Sequence, residues 1–219
     1  MSTFIKVAIL EDHQSVVDGY MFRLRDAKDM GIVGVAANGE ALNILLQEQP
    51  DIRLLIMDVQ VPVSADDPSF IPILYLAPKI LEERPNIRIL IISMFMSPSL
   101  VKELVEAGVS GYILKEDGVS IRSLPAIIRR IVHGETHFSE VIKEKLDGEM
   151  HNVLGITHRQ LEILSLCAAY PDLSSDQLAE RLGIVSSSLR TTLSDTYSRL
   201  KVHTKAAAIS RAKDLGLIF

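Results

Sequence analysis

The stretch LLIMDVQVP, residues 54 to 62, runs four apolar residues straight into the carboxylate of Asp58. An unbroken apolar run of this length, with no polar alternation, fits a strand buried on both faces of a parallel sheet. A carboxylate ending such a strand is costly to bury unless other groups compensate its charge. The rest of the chain supplies those groups.

Reading outward, the first 134 residues alternate short apolar runs with amphipathic stretches. The runs are IKVAIL, IVGVAA, LLIM, RILIIS and GYILK, and between and after them lie ALNILLQEQ, SLVKELVEAG and SLPAIIRRIVHG. Five strands alternating with five helices predict an α/β fold with a five-stranded, doubly wound parallel sheet. Ligands of such sheets bind at the carboxyl ends of the strands, near the switch point. The first strand stops at Glu11 and Asp12, the third at Asp58, the fourth at Ser93 and the fifth at Lys115. Any one of these taken alone reads equally well as a helix cap or turn residue. Together they form a pocket. Three carboxylates in one place repel each other, which favours a divalent cation, and hard oxygen donors suit Mg²⁺.

The pocket lacks the parts most hydrolases need. There is no evident Ser or Cys nucleophile with a His base, no glycine-rich phosphate loop, and EDHQS stands after the first strand where a dinucleotide fingerprint would lie. It is suited to accepting a phosphoryl group. Asp58 would be the nucleophile, the metal and Lys115 would neutralise the transferred oxygens, and Ser93 would bond one of them. A phosphatase working through an aspartyl phosphate is the enzymatic alternative, but Gln60 occupies the place where that chemistry usually wants a second acid.

At 219 residues and 47% hydrophobic content, the chain can fill one large domain or two modest ones. No stretch approaches the roughly 18 uninterrupted apolar residues of a membrane span, and the early acidic pair is unlike a signal peptide. A cytoplasmic location without membrane contact is expected. The single Cys167 excludes an internal disulfide framework and reads as core packing. The net charge of −5 divides unevenly, with −7 over residues 1–149 and +2 over residues 150–219. Only the carboxy-terminal end is suited to a polyanion.

Residues 1–134 are read as one domain, 135–153 as a charged linker and 154–219 as an all-α four-helix domain. Serine or threonine sits at or near the start of each of these helices, placed to cap free amides. Within SSDQLAERLGIVSSSLRTTLSDTYSRLKV, two helices flank a short turn containing glycine, which is helix-turn-helix spacing. Leu189, Leu193 and Leu200, with Tyr197 beside them, form the buried side of the second helix. Ser187, Thr191, Ser194 and Ser198 face away, with Arg190 at the edge. Candidate DNA contacts are Ser187, Ser188, Arg190, Thr191, Ser194 and Arg199. The alternative is a dimerisation module that does not touch DNA.

ILEDH, IMDVQVP, IIS and GYILK together resemble the receiver domain of two-component response regulators, over roughly residues 4–134. The resemblance implies that Glu11, Asp12, Asp58 and the backbone carbonyl of Gln60 hold Mg²⁺. It further implies that Asp58 takes a phosphoryl group from a sensor histidine kinase, that Ser93 moves toward it, and that Tyr112 is the aromatic switch residue. Residues 156–217 resemble the LuxR-type DNA-binding domain of the NarL/FixJ class, through ITHRQLEIL, with Glu162 at its acidic place, and LAERLGI. The family pattern implies a transcriptional regulator, binding double-stranded DNA as a homodimer, that catalyses only its own phosphorylation and dephosphorylation. Three features depart from it: the long, glycine-free VSADDPSFIPILYLAP after Val61 and Pro62, the serine run opening the recognition helix, and Asp195 within that helix. The alternative is a receiver that works by protein contact or a small ligand without phosphorylation.

Overall fold

The computed structural model describes residues 4–147 and 155–218, with side chains omitted for 145–147. Five strands appear where the apolar runs predict them: β1 (Ile5–Leu10), β2 (Met30–Ala36), β3 (Leu54–Met57), β4 (Arg88–Ser93) and β5 (Gly111–Leu114). A sixth, β6 (His137–Phe138), completes an all-parallel sheet in the order β2-β1-β3-β4-β5-β6. The expected five-stranded sheet is thus corrected to six strands. A two-residue strand has no readable periodicity, and β6 is fixed by pairing Gly111 with His137 and Tyr112 with Phe138.

Successive strand residues point to opposite faces, so each strand feeds two cores. Val7, Ile9, Leu54, Ile56, Leu90, Ile92 and Ile113 face one side. There α1 (Gln14–Leu24) and α6 (Leu124–Val132) cover them with Val17, Tyr20, Leu24, Ile127 and Ile131. The short α5 (Gly118–Arg122) precedes α6, and Pro125 stands in the first turn of α6, where its missing N–H costs nothing. Ala8, Leu10, Leu55, Met57, Ile89, Ile91, Tyr112 and Leu114 face the other side, under α2 (Gly39–Glu48), α3 (Ile73–Glu83) and α4 (Pro98–Glu106).

The segment read as a linker carries β6 and then α7 (Glu140–Asp147), which packs on α4; its remainder, 148–153, lies outside the described residues, as does residue 154. Four helices follow as expected: α8 (His158–Ala169), α9 (Ser175–Arg181), α10 (Ser186–Leu200) and α11 (Lys205–Asp214). Thr157 and Ser174 form complete capping boxes, and Thr204 caps α11. The expected serine cap is missing from α10, whose N-cap is Val185, with no side-chain bond. The apolar cluster on the α3 side runs without a break into Leu161, Leu164, Leu178, Leu189 and Leu193 of these helices.

The long loop after Val61 is an ordered hairpin. Val63 N–H donates to the Ser69 carbonyl (2.8 Å), Ile71 N–H to that of Val61 (2.9 Å), and Pro62 bridges Phe70. The carbonyls of Pro62 and Val63 in turn accept the first amides of α2, from Gly39 and Glu40, at 3.0 Å each. Asp66 is exposed at the tip and Asp67 caps the Ser69 amide, and neither belongs to the metal-capable cluster found among the described residues.

Candidate functional site: an acidic pocket and an exposed helix

β1, β3, β4 and β5 end at the same edge, which brings together the residues the sequence singled out. Lys115 follows β5, where its N–H donates to the Ser93 carbonyl. Its Nζ lies 2.6 Å from Asp58 Oδ2 and 2.7 Å from Glu11 Oε2. The first contact is a directed hydrogen bond. The second is a charge contact alone, because buried Glu11 Oε2 lacks a partner of good hydrogen-bond geometry. Asp58 Oδ1 accepts the Val59 amide at 2.6 Å. Gln60 contributes its own amide to that oxygen at 3.4 Å. Burial pulls the pKa of the Lys115 ammonium down, and its close contacts with the Asp58 and Glu11 carboxylates outweigh it, leaving it raised.

Ser93 is fully buried, and its Oγ accepts the Phe95 amide at 3.2 Å. Tyr112, also fully buried, donates from its hydroxyl to the Phe95 carbonyl at 2.6 Å. Burial, with the Asp58 charge, pushes the Tyr112 hydroxyl above its usual pKa, so it stays a neutral donor. Both residues expected to switch therefore grip one loop residue.

His13 is a member of the pocket to which sequence reading gave no role. Its Nδ1 lies 2.8 Å from Asp12 Oδ1 and 3.2 Å from Glu11 Oε1, and its amide also donates to Glu11. Asp12 foremost, with Glu11, raises its pKa against a small burial effect. Position next to the acid pair was the only available signal. Tyr20 is buried with an unpartnered hydroxyl, and burial first, then the charges of Glu11 and Asp58, raises its pKa. Glu11, Asp12 and His13 offer ligand atoms within 4.8 Å of one another. The buried Glu11 carboxylate with that of Asp12 beside it is a hard oxygen donor set that fits a divalent cation, while Asp58 stands outside this cluster, turned to Lys115 and the Val59 amide.

Leu189, Leu193 and Leu200 of α10 are buried as expected, and Thr196 joins them. Ser187, Ser188, Arg190, Thr191, Ser194 and Arg199 are all exposed. Arg190 reaches Asp176 of α9 at 3.4 Å, and Arg199 hydrogen-bonds the Gly155 carbonyl. Thr191 and Ser198 hydroxyls donate to the carbonyls four residues back. Arg190 is thus paired with α9 at the surface, whereas Arg199 is tied to the segment leading into α8.

The comparisons with known proteins agree with this geometry. Residues 7–128 match the response regulator receiver domain. The chain belongs to that family. It is 28% identical over 215 residues to the transcriptional regulatory protein DesR of Bacillus subtilis, covering 97% of this chain and 98% of that one. It is 27% identical to the oxygen regulatory protein NreC of Staphylococcus carnosus, over 95% of this chain and 96% of the other. In fold it is similar to RcsB from Salmonella enterica serovar Typhimurium, solved bound to promoter rprA with a phosphomimetic. That likeness has a TM-score of 0.63 and 18% identity, over 95% of this chain and 98% of that one. A receiver followed by a four-helix unit over the full length of such relatives makes the chain a response regulator of the NarL/FixJ type.

Proposed function

We propose that the protein is a phosphorylation-controlled, DNA-binding transcriptional regulator in which Asp58 accepts the phosphoryl group of a sensor histidine kinase. The carrying observation is the Asp58, Lys115 and Glu11 triad at the strand ends. In the transfer, the P–N bond of the kinase phosphohistidine breaks as an Asp58 oxygen forms the new P–O bond. Lys115 follows the charge onto the phosphoryl oxygens, and the Ser93 hydroxyl donates to one of them. Mg²⁺ held by Glu11, Asp12, Asp58 and the Gln60 carbonyl supplies further charge neutralisation when bound. The chain promotes only its own phosphorylation and its reversal, so it acts as a switch rather than on a separate substrate.

The reader of DNA is α10, with Ser187, Ser188, Arg190, Thr191 and Ser194 toward the major groove and Arg199 near the backbone. One such helix has a small footprint, so a homodimer on paired half-sites is the binding form. RcsB bound to a promoter and the transcriptional role of DesR support this reading. No helix among the described residues is long and apolar enough to cross a membrane, and the cytoplasm is the proposed location. The test is intact-mass measurement after incubation with acetyl phosphate. Mg²⁺-dependent gain of one phosphoryl group, absent in Asp58→Asn, is expected; equal gain in that variant overturns the assignment.

A further inference from the structure

Starting from that reading, we infer that Tyr20 is a positioning residue of the phosphorylation site. Its hydroxyl takes over the Glu11 carboxylate when Lys115 turns to the transferred phosphoryl group.

Two buried tyrosines flank the strand ends from opposite faces of the sheet. Tyr112 lies in the core on the α3 side, and its hydroxyl is bonded to the Phe95 carbonyl. Tyr20 lies in the core on the α1 side, with Ile9 and Ile56, and is 3% exposed. Among the described residues its hydroxyl meets no hydrogen-bond partner. Burying a hydroxyl without a partner costs free energy, and native proteins rarely leave one so without a reason. Its placement supplies the reason. Helix α1 begins at Gln14, directly after Glu11, Asp12 and His13, and helical side chains lean toward the start of their helix. Tyr20, in the second turn, therefore directs its ring toward the pocket, and the charges of Glu11 and then Asp58 reach its hydroxyl.

Glu11 offers the matching acceptor. Its Oε1 is held by the His13 amide at 3.2 Å, while buried Oε2 has only the charge of Lys115 at 2.7 Å. That ammonium is shared with Asp58 Oδ2 at 2.6 Å. Once it follows the phosphoryl oxygens, Glu11 Oε2 is left buried and uncompensated, which works against the transfer. A phenol donating to this oxygen replaces the lost contact with a charge-assisted bond. The hydroxyl is thus idle at rest and engaged in the transfer and in the phosphorylated form.

Tyr20→Phe removes the hydroxyl and keeps the ring. In the full chain it should leave the Tm of the unlabelled protein unchanged or raise it, since an unpartnered buried donor is lost. With acetyl phosphate and Mg²⁺ it should slow Asp58 labelling by roughly three- to tenfold, the effect of about one hydrogen bond. In a Glu11→Asp background, whose shorter side chain withdraws the acceptor, the same substitution should cause no further slowing. Wild-type protein carrying meta-fluorotyrosine should show its Tyr20 fluorine resonance, assigned by its loss in Tyr20→Phe, shift on labelling. A lower Tm before labelling, equal labelling rates in wild type and Tyr20→Phe, equal slowing in both backgrounds, or an unmoved resonance overturns the role of Tyr20 while leaving the receiver reading intact. No labelling of the wild-type protein overturns both.

Discussion

Replacing Lys115 with methionine tests the electrostatics of the pocket, because one ammonium serves two buried carboxylates. Its contacts of 2.6 and 2.7 Å each correspond to about 6 kcal/mol of direct attraction at an effective dielectric near 20, most of it offset by desolvation. Removing one partner of a buried pair costs about 3–5 kcal/mol, and partial solvent access to the lysine brings the expected loss to about 2–4 kcal/mol. For a chain of this size that is a fall in Tm of about 5–15 °C at pH 7. The loss has a sign that can be checked. Wild-type Lys115, with its raised pKa, holds its contribution up to the ordinary lysine range and loses it only above. In the variant, Glu11 and Asp58 repel without mediation, so adding Mg²⁺ narrows the gap from wild type. Differential scanning calorimetry across pH, with and without Mg²⁺, measures this. An unchanged Tm at pH 7, or a gap indifferent to the metal, refutes the reasoning.

Three further outcomes follow from particular contacts. His158 has its pKa raised by the Glu103 hydrogen bond first, then by the charges of Glu103, Glu162 and Glu106, against burial. Lys102 pairs with Glu106 and Arg159 with Glu162 at this contact. Docking should therefore be firmest below His158's ordinary value of about 6.5 and weaken as pH rises through its raised value. Exchange protection of residues 156–170, corrected for intrinsic rates, should fall with pH in wild type and stay flat in His158→Gln. Tyr112→Phe deletes the 2.6 Å bond to the half-buried Phe95 and should cost about 1–3 kcal/mol, read by urea denaturation. Arg190→Ala should cost about 1–3 kcal/mol at one base position if it reads guanine, or weaken all sequences alike and flatten the salt slope by about one if it meets phosphate. Binding to selected and random DNA at several salt concentrations separates the two.

The strand ends were legible in sequence because fully buried strands are continuous apolar runs, and a polar residue closing each run marks the sheet edge. The leucine stripe of α10 was legible for the same reason, at helical spacing. Other parts carry no local signal. β6 depends on pairing with β5 and on contacts of its neighbours, Ser120 Oγ to His137 at 2.9 Å and Ser139 Oγ to Asp117 at 2.7 Å. The hairpin after Val61 reads as a long loop because its order comes from backbone bonds to itself and to α2. Glu103 and His158 stand 55 residues apart, and either alone reads as an ordinary surface residue of its helix. Arg199 looked like a free cation until the backbone placed the Gly155 carbonyl beside it.

The most direct test of phosphorylation control is DNA affinity measured against the fraction of Asp58 phosphorylated in the same sample. The DNA is a site selected from a random pool, and the labelled fraction is read by intact mass. Affinity should rise with that fraction in wild type and stay at the unlabelled value in Asp58→Asn under identical treatment. Equal affinity at zero and full labelling, or an equal response in Asp58→Asn, contradicts the account.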